Sequence, residues 1–330
     1  MRRWLTLFGL ITVLALSAVA YARWWLVRPL DLAQDPVEVS IEPGTTPREV
    51  AQTWVQAGVR ESPWLLYQWF RWSGESRKIR AGSYAIERGA NAVSLLHKMV
   101  RGEESLAMVR FVEGWTFRQM RAELARTPAL KQTTATLSDA QVMAALGAPD
   151  VHPEGRFFPD TYAFSKGASD LVVLKRAFAS MQRRLDAVWA ERAPESPLKS
   201  PAEALILASI VEKETGAPAD RSMVAGVFSN RLRLGMPLQT DPTVIYGMGE
   251  RFDGNLRKRD LLTDTPYNTY LRAGLPPTPI AMPGAASLVA AVKPPSTRAL
   301  YFVSRGDGSS EFSDTLAAHN RAVDKYQRGK

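Results

Sequence analysis

From Trp4 to Ala22 the chain carries no charged side chain and few polar ones, directly after Arg2 and Arg3. A helix of about 20 apolar residues crosses a bilayer core, because all its backbone polar groups are satisfied within the segment. This run commits residues 1–28 to a membrane anchor and leaves the rest of the chain to fold elsewhere. Trp24 and Trp25 follow at once, where interfacial aromatics sit. The alternative is a cleaved signal peptide, since Ala18-Val19-Ala20 and Ala20-Tyr21-Ala22 both resemble small-residue cleavage sites. The run exceeds the roughly 7–15 residues of a signal core, and a Trp/Arg cluster trails it, so a retained anchor is expected. Arg23 and Arg28 nearly balance Arg2 and Arg3, which leaves orientation weakly specified by charge. Either reading exports the remainder.

That remainder has room for two domains, and 45% hydrophobic with 23% charged residues is a globular composition rather than a disordered one. There is no Cys, so neither disulfides nor thiol chemistry contribute. His97, His152 and His319 are the only histidines and have no ligand-like spacing. No metal site and no cofactor are expected, and no glycine-rich phosphate cradle accompanies a candidate Schiff-base lysine. The formal charge of +9 favours anionic partners: lipid head groups, acidic wall polymer or nucleic acid. Nucleic acid is set aside, because basic residues such as Arg71, Arg77, Lys78 and Arg80 form no recognised motif and the domain is exported.

After a linker at 29–36, Val37–Ile41 alternates like a strand, Pro43-Gly44 turns, and Thr46-Pro47-Arg48-Glu49 opens a helix that Gly58 stops. A helix over Pro63–Trp72, a strand after Ala81-Gly82, and a helix over Ala92–Val100 complete a β-α-α-β-α module at 37–104. Trp64, Trp69, Trp72 and Tyr84 could stack on sugars, but aromatics at this spacing are expected in the core. Beyond lie a strand at Ala107–Val112, a helical stretch over Phe117–Leu146 broken near Pro128, and an extended segment at Pro159–Tyr162. Helices are predicted at Leu171–Arg192, Ala202–Thr215 and Arg221–Leu234. Gly235–Pro295, rich in Gly, Pro, Asn and Tyr, reads as loop, a length that usually builds a site. A strand at Ala299–Ser304 and a helix from Leu316 close the chain. The fold class is α+β: a transmembrane helix, a small α/β module at 37–104 and a larger mixed α+β domain at 105–330.

The helix over Ala202–Thr215 carries the chemistry. At about 100° per residue, Ala204, Leu207, Ala208, Ile210 and Val211 form one apolar face. Ser209, Glu212 and Lys213 cluster opposite, and Leu205 and Ile206 spill beyond the stripe, so the helix is expected to be well buried. Glu214 points within the apolar face, between Leu207 and Ile210, and Gly216 is placed to end the helix. An apolar setting and the negative helix end both raise a carboxyl pKa, which suits a general acid. The competing reading sends Glu214 to solvent or to an ion pair with Arg221 or Arg231. Glu212 is expected as a solvated face residue.

Several ordered motifs now bear on identity: Ile210-Val211-Glu212-Lys213-Glu214-Thr215, Phe228-Ser229-Asn230-Arg231-Leu232, the run Leu238–Gly247, and Tyr267-Asn268-Thr269-Tyr270. With Phe158-Pro159-Asp160-Thr161-Tyr162, Gly274-Leu275-Pro276-Pro277 and Pro283-Gly284, they closely resemble the endolytic murein transglycosylases of the MltG/YceG type, from about Val37 to the end. The resemblance implies that the 37–104 module is LysM-like, that 105–330 is catalytic, and that the second Glu of Glu-Lys-Glu-Thr, Glu214, is the catalyst. The implied substrate is the β-1,4 bond between N-acetylmuramic acid and N-acetylglucosamine within peptidoglycan strands, cut to 1,6-anhydro ends. It also implies a single-pass protein of the bacterial inner membrane with its catalytic domain in the periplasm, and wall synthases as partners. By looser analogy with lysozyme-like transglycosylases, Gln239, Tyr267 and Asn268 would orient Glu214 or hold the acetamido group; bracing of their loops is the alternative. Asp241 would contact substrate or brace its own loop. The enzymatic rival is a two-carboxylate hydrolase using Asp241 or Asp160, and the non-enzymatic one is a membrane-anchored wall-binding scaffold.

Overall fold

The computed structural model describes residues 2–329. Met1 and Lys330, the outer ends of the expected anchor and catalytic domain, lie outside the described residues, as do the side chains of Arg2, Arg3, Leu5 and Thr6. The fold is mixed α+β. The chain divides into two compact units, Met1–Met108 with Ala163–Ala168, and Val109–Tyr162 with Ser169–Lys330.

The first unit opens with α1 (Arg2–Val27), whose stretch Leu7–Val27 is long and apolar enough to cross a membrane and is scarcely buried against protein. β1 (Val37–Ile41) and β2 (Gly82–Ile86) pair antiparallel, Val37 opposite Ile86 and Ile41 opposite Gly82. Val37, Val39 and Ile41 alternate inward, as the two-residue period of a strand requires. α2 (Pro47–Ala57) starts at a capping box in which Thr46 and Glu49 satisfy each other's backbone N–H, and it ends at Gly58 with φ 127°. Val50, Ala51 and Trp54 face the core. α3 (Pro63–Trp72) adds Leu66 and Phe70, and α4 (Ala92–Arg101) adds Leu95, Leu96 and Met99. The Trp54 indole N–H points at Met99 Sδ, 3.3 Å away. Tyr84 is fully buried, as expected, and Trp69 partly so. Trp64 and Trp72 correct the expectation, being 61% and 73% exposed. Leu66 and Phe70 already fill the inward face of α3, and the helical rotation sends positions 64 and 72 the other way.

β3 (Leu106–Arg110) pairs with β4 (Thr161–Ser165), and the boundaries between the units fall inside these strands. In the second unit, α5 (Phe117–Ala125) and α6 (Asp139–Ala145) replace the broken helix expected over Phe117–Leu146. Each has its own capping box, Thr116 with Gln119 and Ser138 with Gln141, so they are separate elements rather than halves of one. α7 (Asp170–Ala190), α8 (Pro201–Glu214) and α9 (Arg221–Arg233) match the predicted helices to within two residues at each end.

Gly235–Pro295 is not loop throughout, since it holds α10 (Asp241–Met248), the short α11 (Lys258–Leu261) and α12 (Ala285–Val292). α12 packs against α7, α8 and α9. A segment covered on several sides needs no polar face, so Ala-Ala-Ser-Leu-Val-Ala-Ala-Val shows no amphipathic period to read. β5 (Tyr301–Ser304) and β6 (Ser310–Ser313) make an antiparallel hairpin, and α13 (Leu316–Tyr326) packs on both strands. α8 is the axis of the unit, in contact with α7, α9, α10 and α12.

Candidate active site

Every residue of α8 from Ala204 to Val211 is buried. Its polar side is covered too. Ser209 donates to the Ile206 carbonyl at 2.7 Å and accepts the Ile280 N–H at 3.0 Å. Glu212 is a correction to the expected solvated residue: its side chain is only 8% exposed. It accepts the Gly284 N–H at 2.9 Å and lies 3.9 Å from the Arg221 guanidinium. The Pro279–Gly284 segment supplies the cover. A Cβ at Gly284 would sit 1.9 Å from Oε1 of the exposed Glu113 side chain, which would have to swing aside.

Glu214 is the last residue of α8. Thr215 forms the cap instead of the expected Gly216: its N–H (3.1 Å) and hydroxyl (2.7 Å) both donate to the Val211 carbonyl. Gly216 instead faces the Gly308 carbonyl, which a Cβ would approach to 3.3 Å. The Glu214 carboxyl is partly buried, and the Thr240 hydroxyl donates to its Oε1. Burial pushes the Glu214 pKa up, and the Asp241 charge pushes the same way; the Thr240 hydrogen bond opposes both.

Thr240 is itself held by a buried hydroxyl network. Its N–H donates to Thr269 Oγ1 at 3.1 Å, and its carbonyl accepts from the Thr243 hydroxyl at 2.8 Å. The Thr243 and Thr269 hydroxyls lie 2.9 Å apart. Next to it, Gln239 has φ 53° and is the only non-glycine with positive φ among the described residues. Arg231 holds it there: Nη1 donates to Gln239 Oε1 (3.2 Å) and to the Leu238 carbonyl (2.9 Å), and Nε to the Leu300 carbonyl (2.7 Å).

Glu214, Gln239, Asp241 and Tyr270 share the wall of a cavity of about 670 Å³, with β5, β6 and α13 supplying Tyr301, Ser310 and His319 opposite. Three of the five expected site residues therefore come together. Tyr267 and Asn268 do not line the cavity. The Tyr267 ring packs 4.9 Å from Tyr246, and its hydroxyl meets Thr278 Oγ1 at 2.8 Å. Asn268, fully buried, donates to the Leu261 (3.0 Å) and Thr263 (2.7 Å) carbonyls and accepts the Tyr270 N–H at 3.0 Å. Both brace the loop that presents Tyr270, whose hydroxyl donates to Asp241 Oδ1 at 2.6 Å. Burial first, and then the bond to Asp241, hold the Tyr270 hydroxyl well above its usual range. Asp160 is exposed and is not part of this cavity wall.

Thr240 and Tyr270 are the residues that sequence reasoning passed over, although each stands inside a recognised motif, while Arg231, expected only as an ion-pair partner for Glu214, holds Gln239 instead. Glu154 was also missed. It is 4% exposed, accepts the Phe117 N–H (2.9 Å) and the Tyr246 hydroxyl (3.2 Å), and burial pushes its pKa up to about 7. Among the described residues no three His, Asp or Glu side chains cluster as a metal site would need.

The YceG-like family profile matches residues 39–325. A curated relative from Bacillus subtilis (strain 168), named endolytic murein transglycosylase, is 32% identical over 92% of this chain and 89% of its own length. One of the same name from Streptococcus pneumoniae serotype 2 (strain D39 / NCTC 7466) is 25% identical over 89% of this chain, which spans 59% of that relative. The crystal structure of a yceG-like protein from Listeria monocytogenes is similar in fold, with a TM-score of 0.56 and 28% identity over 87% of this chain and 98% of that one.

Proposed function

The chain belongs to the YceG-like family, and from that premise we propose that it is an endolytic peptidoglycan lytic transglycosylase with Glu214 as its acid/base catalyst. The observation that carries the reading is the Glu214 carboxyl, set at the end of α8 on a cavity wall and raised in pKa by burial. A carboxyl kept protonated near neutral pH is what glycosidic-bond cleavage needs from its general acid.

Thr240 donates to Oε1, so the transferable proton belongs on Oε2. Glu214 gives that proton to the glycosidic oxygen as the bond to muramic C1 breaks and positive charge grows at the ring. The carboxylate then takes the proton of the muramyl 6-hydroxyl as this oxygen closes onto C1. The Glu214 proton is thus restored, no water is consumed, and a 1,6-anhydro end is left. The substrate's acetamido group assists at C1 in place of an enzymic nucleophile. Gln239, Asp241 and Tyr270 supply the polar contacts to the sugar, while Tyr267 and Asn268 hold the loop. In this reading residues 1–28 anchor the protein in the bacterial inner membrane, 37–104 form the LysM-like module, and 105–330 form the periplasmic catalytic domain.

Asp241 keeps one rival alive, because it shares the cavity and its charge acts on Glu214. A hydrolase pairing these two carboxylates would add water to the cut end. Mass spectrometry of digested glycan separates the two. Anhydro ends, lighter by one water, are expected, and reducing ends alone would make the enzyme a hydrolase. Glu214→Gln keeps the size of the side chain and removes the acid, so it should release fragments at least about a hundredfold more slowly. Unchanged cleavage by that variant sinks the assignment, and no cleavage by the native protein favours a scaffold.

A further inference from the structure

The exposed aromatic face of α3 is the feature that the proposed chemistry leaves unused. Trp64 and Trp72 are 61% and 73% exposed, although Leu66 and Phe70 on the same helix are fully buried. Steps of 100° put Trp64, Gln68, Arg71 and Trp72 on one side, opposite that core face. Arg77, Lys78 and Arg80 follow, all exposed, with Glu75 as the acid among them.

The position of this face within the first unit is fixed by two sets of contacts with the end of α1. Ahead of α3, Glu61 accepts the Trp25 indole N–H at 3.1 Å and forms an ion pair with Arg28. Beside α3, the Trp69 indole N–H donates to the Ala92 carbonyl at 2.9 Å. The preceding residues, Ala90 and Asn91, hold the chain leaving α1: Leu30 N–H donates to the Ala90 carbonyl at 2.8 Å, and Asn91 Nδ2 lies 3.5 Å from the Val27 carbonyl. α3 is therefore clamped where Leu7–Val27, the segment able to span a bilayer, comes to an end. Trp24, 56% exposed, lies at that same level.

From this we infer that the Trp64–Trp72 face of α3, with the cations from Arg71 to Arg80, lies in the head-group layer of the bilayer that α1 crosses. Tryptophan favours that layer because its ring is apolar and its N–H is polar, and Arg and Lys favour anionic head groups. The inference rests on reading α1 as a retained span.

The absence of cysteine permits a clean test. Single variants Leu7→Cys, Trp64→Cys and Trp72→Cys carry an environment-sensitive fluorophore in the full chain, reconstituted into vesicles of phosphatidylglycerol and phosphatidylethanolamine. The expected result is a blue shift at 64 and 72, quenching there by lipids nitroxide-labelled at the head group, and loss of quenching by aqueous iodide. Position 7, at the far end of the span, should be quenched by nitroxide-labelled lipids and shielded from iodide. Lipid quenching at 7 with free iodide access at 64 and 72 overturns the inference and leaves the anchor standing. Iodide access at 7 removes the anchor reading, and the inference falls with it. Protection of 64 and 72 by added glycan but not by lipid would make the face a sugar platform, which also overturns it.

Discussion

In the proposed mechanism the carboxyl at position 214 gives up a proton and then recovers it, so the groups that tune its proton affinity set the pH profile. The acid works only when protonated, and kcat/KM should fall as pH rises through its pKa. Asp241→Asn removes a charge that raises that pKa, so the alkaline limb should move to lower pH. Thr240→Val removes the hydroxyl that stabilises the carboxylate and should move the limb the other way, with a lower rate because Oε1 is left without its donor. Shifts of the same sign in the two variants would mean that neither residue acts through Glu214. Glu214→Gln itself should cost roughly 10²–10⁴-fold in strand release. Gln239 poses a conformational question as well. At φ 53° a side chain is strained and glycine is not, so Gln239→Gly should be more stable than Gln239→Ala by about 1 kcal/mol in thermal unfolding.

Glu154 joins elements instead of facing substrate, since it holds the first residue of α5 and Tyr246 of α10. Its pKa rises from 4.5 to about 7, so the folded state binds its proton more tightly than the unfolded chain does. Stability should then be highest below pH 4.5 for this group and decline as pH climbs through 7, by on the order of 3 kcal/mol. Glu154→Gln should flatten that decline, standing clearly above the native protein in denaturant titrations at pH 8 and close to it at pH 4.5. Legibility differed among elements for identifiable reasons. α2 was visible because Thr46, Pro47, Glu49 and Gly58 mark its ends and its stripe is one-sided. α12 was not, because a helix buried on several sides has no period, and α10 was hidden by the turn-forming Asp241-Pro242 at its start. The same blindness misplaced Glu212, because helical rotation gives a direction and says nothing of the Pro279–Gly284 segment that covers it. Helix direction and family motif agreed on Glu214, and its carboxyl does lie on the cavity wall. Tyr267 and Asn268 were located by motif alone, and the motif could not tell the brace from its neighbour Tyr270.

For the whole molecule, the first question is whether α1 survives in the mature protein. Intact mass of the protein from membranes should include the segment through Val27, and alkaline carbonate should leave it in the pellet. A shorter, extractable form beginning near Ala20 or Ala22 would establish signal cleavage. The composition announced a cysteine-free globular chain with one apolar helix long enough to cross a membrane, but not that its aromatics would divide between core and surface, since that division depends on which face of α3 the helices α2 and α4 cover. The enclosure of α8 bears on how such a molecule can change. With neighbours on every side, the helix has almost no freedom to accept new side chains, whereas β5, β6 and α13 form one wall of the cavity and have solvent behind them. A library built on Tyr301, Ser310 and His319 should yield altered cleavage patterns from proteins that still fold. One built on Leu207, Ile210 and Val211 should yield mostly insoluble protein. Innovation in this architecture belongs to the wall, and inheritance to the axis.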